Sequence, residues 1–111
     1  MIEKIVLDYL NKTLTVPVYM EMPEMGQTER FVLIEKTGSR SENLINFATF
    51  AIQSYANSLY EAAKLNEEVK EAMNNIVSLD AVFGSELNTD YNFTDTTKKR
   101  YRYQAVYDLS Y

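Results

Sequence analysis

Apolar residues at helical spacing open the chain. They recur at intervals of three and four residues, with charged side chains on the other side. The apolar positions are Ile2, Ile5, Val6, Tyr9 and Leu10. This pattern predicts a short amphipathic helix that ends near Asn11.

Two extended segments follow this helix. The range 15–22 is rich in β-formers, and Pro17 confines a strand there to the edge of a sheet or to its first residues, because proline offers no backbone N–H. The range 30–36 is nearly all apolar in its middle, which predicts a strand covered on both faces. The polar range 37–41 predicts a break, with Gly38 free to adopt a positive φ and end the strand.

The range 41–75 permits two interpretations. Its apolar residues lie at helical spacing, and Ser39 with Glu42 could form a capping box, so one helix could cover the whole range. Such a helix would be about three times the usual length. Ser58 and Glu61 form another possible capping box before the strongest helix-forming stretch, while the residues preceding it favour strand. We therefore predict a strand over 45–55 and a helix over 58–75.

The last part of the chain predicts a hairpin. The range 76–83 indicates a strand or an extended connection that ends at Gly84. Apolar and polar residues then alternate over 87–93 and more strictly over 101–111, joined by the polar range 94–99. The final strand places Tyr101, Tyr103, Tyr107 and Tyr111 on one face, with Arg100, Arg102, Gln104 and Asp108 opposite. One face should pack on the core while the other meets solvent or a partner.

These elements together predict an α+β fold. A mixed, mainly antiparallel β-sheet would pack against an N-terminal helix and one longer central helix. The chain has 111 residues, which is enough for a single domain spanning 1–111. Hydrophobic residues make up 46% and charged residues 24%, so we expect a folded globular chain.

Composition narrows the possible chemistry. The chain contains no Cys and no His, which excludes disulfides, thiolate metal sites, nucleophile–histidine triads and imidazole bases. The net charge is −5, so we expect no long-range attraction to nucleic acid. No apolar run reaches the length of a signal peptide or a membrane span, and we expect a soluble, unexported protein without membrane contact.

Candidate catalytic and metal-binding patterns are weak. Asp90, Asn92 and Asp95 superficially resemble ligands for a hard cation, but no Gly or Glu completes a binding loop, so turn formation accounts for them better. The chain has no glycine-rich phosphate motif, and carboxylate pairs such as Glu21 with Glu24 show no spacing that supports acid–base work. We therefore expect no catalytic residue, no cofactor and no metal.

One basic run remains. Lys98, Lys99 and Arg100 are followed by Arg102, with Tyr101 and Tyr103 between and after them, an arrangement also found on surfaces that stack nucleic-acid bases. A charged hairpin tip that prevents edge aggregation is the favoured interpretation. Acidic residues on a neighbouring copy are plausible contacts for it.

Three stretches carry a resemblance to a known family. They are Phe31-Val-Leu-Ile-Glu-Lys-Thr-Gly38, then Phe50-Ala-Ile-Gln-Ser-Tyr-Ala56 before a helix beginning Tyr60-Glu-Ala-Ala63, and the closing Arg102-Tyr-Gln104. In their order and spacing they resemble the tail-terminator and tail-completion proteins of bacteriophages with long non-contractile tails. Head–tail joining proteins of similar size share much of this arrangement.

The resemblance implies a structural virion protein, not an enzyme. Six subunits would form a ring that caps the head-proximal end of the tail tube, stops its polymerisation and presents a surface for head attachment. The partners would be copies of itself, the major tail tube protein and a head–tail connector, with DNA passing through the channel without specific binding. Assembly would take place in the host cytoplasm and the final location would be the virion.

Two alternatives stay open at this point. One is a head–tail joining or neck protein of the same virion, and the other is a stand-alone α+β binding domain. We place candidate protein contacts in the polar ranges 22–29, 37–43 and 94–100. The candidate interface residues are Glu24, Gln27, Arg30, Lys36, Arg40, Lys98, Lys99 and Arg100.

Overall fold

The computed structural model describes residues 1–24 and 30–111 and has the predicted α+β architecture. Its elements are α1 (Ile2–Thr13), β1 (Val18–Tyr19), β2 (Phe31–Glu42), β3 (Ile45–Ala56), α2 (Leu59–Asn74), a 3₁₀ turn (Ile76–Ser78), β4 (Gly84–Asn92) and β5 (Tyr101–Ser110). The strands form one sheet in the order β1-β2-β3-β5-β4. The β1–β2 pair is parallel, and the other pairs are antiparallel.

The first helix forms as predicted, whereas the strand after it is much shorter than the predicted 15–22. Only Val18 and Tyr19 pair with β2, at the predicted edge position. The Asn11 side chain accepts a hydrogen bond from the Val18 N–H at 3.1 Å and donates to the Val18 carbonyl at 3.3 Å. Pro17 has no N–H to contribute, so the strand cannot extend toward the helix.

The strand β2 is longer than predicted, because its polar half continues through the expected break. Residues 37–42 belong to the strand, and Gly38 lies opposite Thr49 within it instead of ending it. An irregularity between Lys36 and Gly38 absorbs one extra residue, which keeps the strand paired with β3. The chain reverses at Asn43 and Leu44, whose φ angles are 50° and 67°. The range 37–43 is therefore a strand and the start of a turn, and the prediction of a break over 37–41 is wrong.

The ambiguous central range resolves into the predicted strand and helix. Ile45–Ala56 is β3 and Leu59–Asn74 is α2. The Ser58 hydroxyl accepts a hydrogen bond from the Glu61 backbone N–H at 3.1 Å and so caps the helix. The alternative capping box at Ser39 does not form, because this residue pairs with β3.

The connection after α2 differs from the predicted strand. The range 76–78 forms a 3₁₀ turn, and Gly84 begins β4 instead of ending a strand. Burial explains the turn, since Ile76 closes the end of the core while Val77 and Phe83 remain exposed, a distribution without strand alternation. The predicted terminal hairpin of β4 and β5 is confirmed.

The core lies between one side of the sheet and the two helices. Alternation along β2, β3 and β5 directs a continuous set of apolar side chains to this side. The sheet contributes Val32, Ile34, Ala48, Phe50, Ile52, Ala105, Tyr107 and Leu109, and the helices contribute Ile2, Val6, Leu10, Leu65, Val69, Ala72 and Met73. We call this the helix side of the sheet.

Tyr107 is the largest fully buried side chain. Its hydroxyl lies 2.9 Å from Asn74 Oδ1 and 3.2 Å from the carbonyl oxygen of Lys70, both of which can accept its proton. Burial raises the pKa of the Tyr107 phenol above its ordinary value of 10.0. The strand β5 is thereby joined to α2 by packing and by hydrogen bonding.

We expect Tyr107→Phe to lower the free energy of unfolding by about 1 kcal/mol at neutral pH, because the hydroxyl loses a buried hydrogen bond. A raised pKa in the folded state adds stability that is fully present below the unfolded pKa and is lost as pH rises through the folded value. The difference between wild type and variant should therefore shrink above about pH 10. Denaturant unfolding between pH 7 and 11 measures this, and a difference independent of pH would contradict it. Tyr60→Phe, at an exposed site, is the control.

Candidate protein-interaction face

The side of the sheet opposite the helices carries the candidate site. In the described part of the chain both helices contribute to the core on the helix side, and this other side has its own layer of side chains. We call it the open face. Its members from the inner strands are Phe31, Leu33, Phe47, Thr49, Ala51, Gln53, Tyr55, Arg102, Gln104, Val106 and Asp108.

Arg102 is the centre of the open face at one end of the sheet. Its Nη1 donates to the Tyr55 hydroxyl at 2.9 Å, and its Nε donates to the carbonyl oxygen of Phe93 at 2.6 Å. The guanidinium also lies 4.4 Å from the centre of the Phe93 ring and 5.7 Å from that of Tyr55. Charged hydrogen bonds and cation–π contacts thus join β3, β5 and the end of β4.

A chain of amide and phenol groups continues from this arginine. The Tyr55 hydroxyl donates to Gln53 Oε1 at 2.8 Å, Gln53 Nε2 donates to Gln104 Oε1 at 2.8 Å, and Gln104 Nε2 donates to the Tyr91 hydroxyl at 2.5 Å. The Tyr55 hydroxyl and the two amides each donate and accept, so the hydrogen bonds fix one another's direction. These hydrogen bonds therefore hold the side chains of this part of the open face in one arrangement.

Aromatic rings extend the same end of the face toward both edges. The Phe31 and Tyr55 rings stack with centroids 4.6 Å apart, and Tyr19 meets Phe31 edge-on at 6.0 Å. At the other edge, Tyr91 and Phe93 make an edge-on pair at 5.8 Å. Tyr91 and Phe93 are 40% and 39% exposed, whereas Tyr55 is only 3% exposed. The accessible rings therefore lie on the β4 edge.

The other end of the open face is a groove of about 490 Å³. Its floor contains Thr49, whose hydroxyl donates to Asp108 Oδ1 at 2.7 Å, and Asn88 donates to the second oxygen of that carboxylate at 3.1 Å. Arg40 and Phe47 form one wall, with the guanidinium 4.1 Å from the ring centre. The groove thus exposes polar side chains that are already paired with one another.

The sequence-predicted residues on β2 take part in ion pairs. Lys36 Nζ lies 3.1 Å from Glu3 on the helix side, and Arg40 lies 2.7 Å from Glu42 on the open face. A backbone hydrogen bond at the start of the helix lowers the pKa of the Glu3 carboxyl, and the hydrogen bond from Lys36 lowers it further. Lys36 and Arg40 therefore belong to opposite sides of the sheet.

Arg30 and Glu24 flank the residues that the structure does not describe. Arg30 lies 3.7 Å from Glu68 on α2, and Glu24 is exposed. Gln27 lies outside the described residues. Their roles as interface residues stay predictions.

The basic hairpin tip is tied to the aromatic end of the open face. Asp95 and Arg100 pair through their backbones, and the Asp95 carboxylate accepts a hydrogen bond from the Lys98 N–H at 3.2 Å. Lys99 completes the turn with a φ of 51°. The Arg100 guanidinium lies 5.9 Å from the Tyr55 ring, so it adjoins the network around Arg102.

One residue of the superficial cation-ligand pattern, Asp90, lies in an ion pair. Asp90 accepts hydrogen bonds from Lys70 at 3.0 Å and from Asn66 at 2.9 Å, while Lys70 also contacts Glu67 at 2.7 Å. The hydrogen bonds to Glu67 and Asp90 raise the Lys70 pKa. Among the described residues, no group of three or more acidic side chains is arranged to hold a metal ion.

Sequence reasoning did not single out the most connected residues of the face. Tyr55, Gln53, Gln104 and Tyr91 were not among the predicted contacts. The strict alternation of β5 was the available signal, because it set Arg102 and Gln104 on the face away from the tyrosines. The pairing of β5 with β3 as well as β4, which completes the network, is not encoded in any local pattern.

We expect Arg102→Ala to lower the free energy of unfolding by about 1–2 kcal/mol, because it removes two charged hydrogen bonds and two ring contacts from a half-buried site. Arg40→Ala is the matched control, and its exposed ion pair should contribute less than about 0.5 kcal/mol. Denaturant unfolding of both variants measures the difference. Equal effects would show that the network does not stabilise the face.

Comparison with known proteins gives no family assignment. No protein-family model matches the chain, and no curated protein matches it either. In the described part, none of the helices is sufficiently long and apolar to cross a membrane.

Proposed function

We propose that this chain is a structural assembly subunit that acts by binding copies of itself and a second protein. The observation that carries the proposal is the pre-ordered open face, with its network centred on Arg102 and the exposed rings of Tyr91 and Phe93. Tyr, Phe and Arg are the residue types enriched at protein interfaces. A face already fixed by internal hydrogen bonds loses little side-chain freedom on binding.

The tip of the β2–β3 hairpin supports the same proposal. Leu44 is fully exposed and Ile45 is 39% exposed, although both are large aliphatic side chains. Leu44 also has a φ of 67°, which is unfavourable for a residue with a bulky side chain. An apolar side chain held outward at this cost suits a contact with another molecule.

The more specific part of the proposal comes from the resemblance to tail-terminator proteins. The subunit would form a ring, six copies being implied, that caps the head-proximal end of a tail tube and presents a surface to the head connector. The open face offers a surface for the tube protein.

We expect an excess of this protein to shorten the tubes formed by the major tail tube protein of the same virion, because capped ends stop growing. Tyr91→Ser should weaken this effect, since it removes an exposed ring and the last hydrogen bond of the amide chain. Electron microscopy of tube lengths in a purified assembly reaction is the measurement. Tubes of unchanged length at every ratio of the two proteins would contradict termination.

Tyr60→Ser is the control for the face variant. Tyr60 is 74% exposed on α2, so the same substitution is made far from the open face. Native mass spectrometry of each variant reports whether the ring itself is intact. Loss of termination with both variants would show that the open face has no special role.

A further inference from the structure

Both ends of the sheet carry long unpaired strand edges in the described chain. β1 pairs only with Val32 and Leu33, so β2 has no neighbour on that side from Glu35 to Glu42. β4 forms the opposite end and pairs only with β5. Most residues of both stretches are exposed. Such edges present backbone N–H and C=O groups that can pair with another strand.

One hydrogen-bonded pair shows which residues of β2 and β4 point their backbone N–H and C=O groups away from the sheet. Asn46 and Tyr111 exchange backbone hydrogen bonds of 3.0 and 2.9 Å, so Asn46 points toward β5 and its partner Ser41 points away from β3. Because successive strand residues alternate in direction, the remaining positions follow from the registers. The outward positions are Lys36, Ser39 and Ser41 on β2, and Ser85, Leu87 and Asp90 on β4.

The two edges have matching spacings. In a regular strand one residue lies between successive outward positions, but the irregularity in each of these strands places two residues there. On β2 they lie between Lys36 and Ser39, and on β4 between Leu87 and Asp90. A bulge usually protects an edge because it spoils the register with a regular strand. When these two edges lie antiparallel, the irregularities coincide. The resulting partners are Lys36 with Asp90, Ser39 with Leu87, and Ser41 with Ser85.

The same register brings opposite charges together. On the open face Arg40 lies opposite Glu86, and on the helix side Lys36 lies opposite Asp90. Opposite charges directly across strands favour pairing, and like charges oppose it. Two β4 edges meeting each other would instead bring carboxylates together. Charge therefore favours β2 with β4 over β4 with β4.

We propose that the β4 edge of one subunit pairs antiparallel with the β2 edge of the next, with Lys36 opposite Asp90 and Arg40 opposite Glu86. Within one sheet β2 and β4 run in opposite directions. When a second copy lies beside the first in the same orientation, its β2 is therefore antiparallel to the β4 of the first copy. The contact joins two different surfaces, and repetition gives a ring when the rotation closes. The inference rests on the proposed self-assembly and names the surface that produces it.

Disulfide trapping tests the register. The natural chain has no Cys, so Arg40→Cys with Glu86→Cys provides the only two thiols. Within one subunit these positions are separated by β3 and β5, about 14 Å at the usual strand spacing, too far for a disulfide. We expect oxidation to give a ladder of covalently linked subunits on a denaturing gel. Ser41→Cys with Glu86→Cys, shifted by one residue onto opposite faces, should give at most a trace of it.

Single-cysteine proteins test the direction of the contact. A mixture of the Arg40→Cys and Glu86→Cys proteins should give the mixed dimer, and neither protein alone should cross-link efficiently. Efficient cross-linking of the Glu86→Cys protein with itself would overturn the head-to-tail arrangement. An absent ladder, or an equal ladder in the shifted control, would overturn the register.

Charge reversal tests the same edge contact independently, without a covalent cross-link. Arg40→Glu or Glu86→Arg alone should weaken association roughly tenfold or more, and the two together should restore most of it. Oligomers seen by native mass spectrometry that are unaffected by either single change would overturn the edge contact and leave the proposed function standing. If edge pairing is confirmed while tube lengths stay unchanged, the edge contact stands and the proposed tail termination is overturned.

Discussion

Burial of one side of the sheet against two helices is the interaction on which the rest of the structure depends. It fixes the register of β2, β3 and β5, since a shift of one residue would turn Phe50, Ile52 and Tyr107 away from the core. Alternation then determines what stands on the reverse side. Arg102, Gln104 and their hydrogen-bonded partners occupy positions that the apolar pattern leaves free. The open face is thus a consequence of how the core is packed.

Much of this arrangement could be predicted from local patterns, for identifiable reasons. The first helix and the strictly alternating β5 have periodicities that admit one interpretation, and the Ser58 cap decided the range where periodicity was ambiguous. The fold class followed from these elements. The parts that failed are those in which tertiary contacts override local preference. The polar half of β2 is a strand only because β3 lies beside it.

The candidate site was less predictable than the fold, because it is assembled from residues distant in the chain. Gln53 and Gln104 meet across neighbouring strands although 51 positions separate them. The charged residues that looked most suited to contacts instead divide between the two sides of the sheet, as Lys36 and Arg40 show. Composition was informative where it concerned chemistry that requires Cys or His. Composition could not predict geometry, including the irregularities that give the β2 and β4 edges the same spacing.

The strand order has a consequence for how the chain folds. β5 lies between β3 and β4 but follows both in the chain, so the described sheet cannot close until β5 has left the ribosome. Until then the apolar residues of the β2–β3 hairpin are exposed, and the backbone groups of β3 that later pair with β5 have no strand partner. Nascent chains in this state associate incorrectly. Pairing between distant segments also slows folding. Production of this protein should therefore depend on the speed of synthesis and on chaperones more than the stability of the finished molecule would suggest.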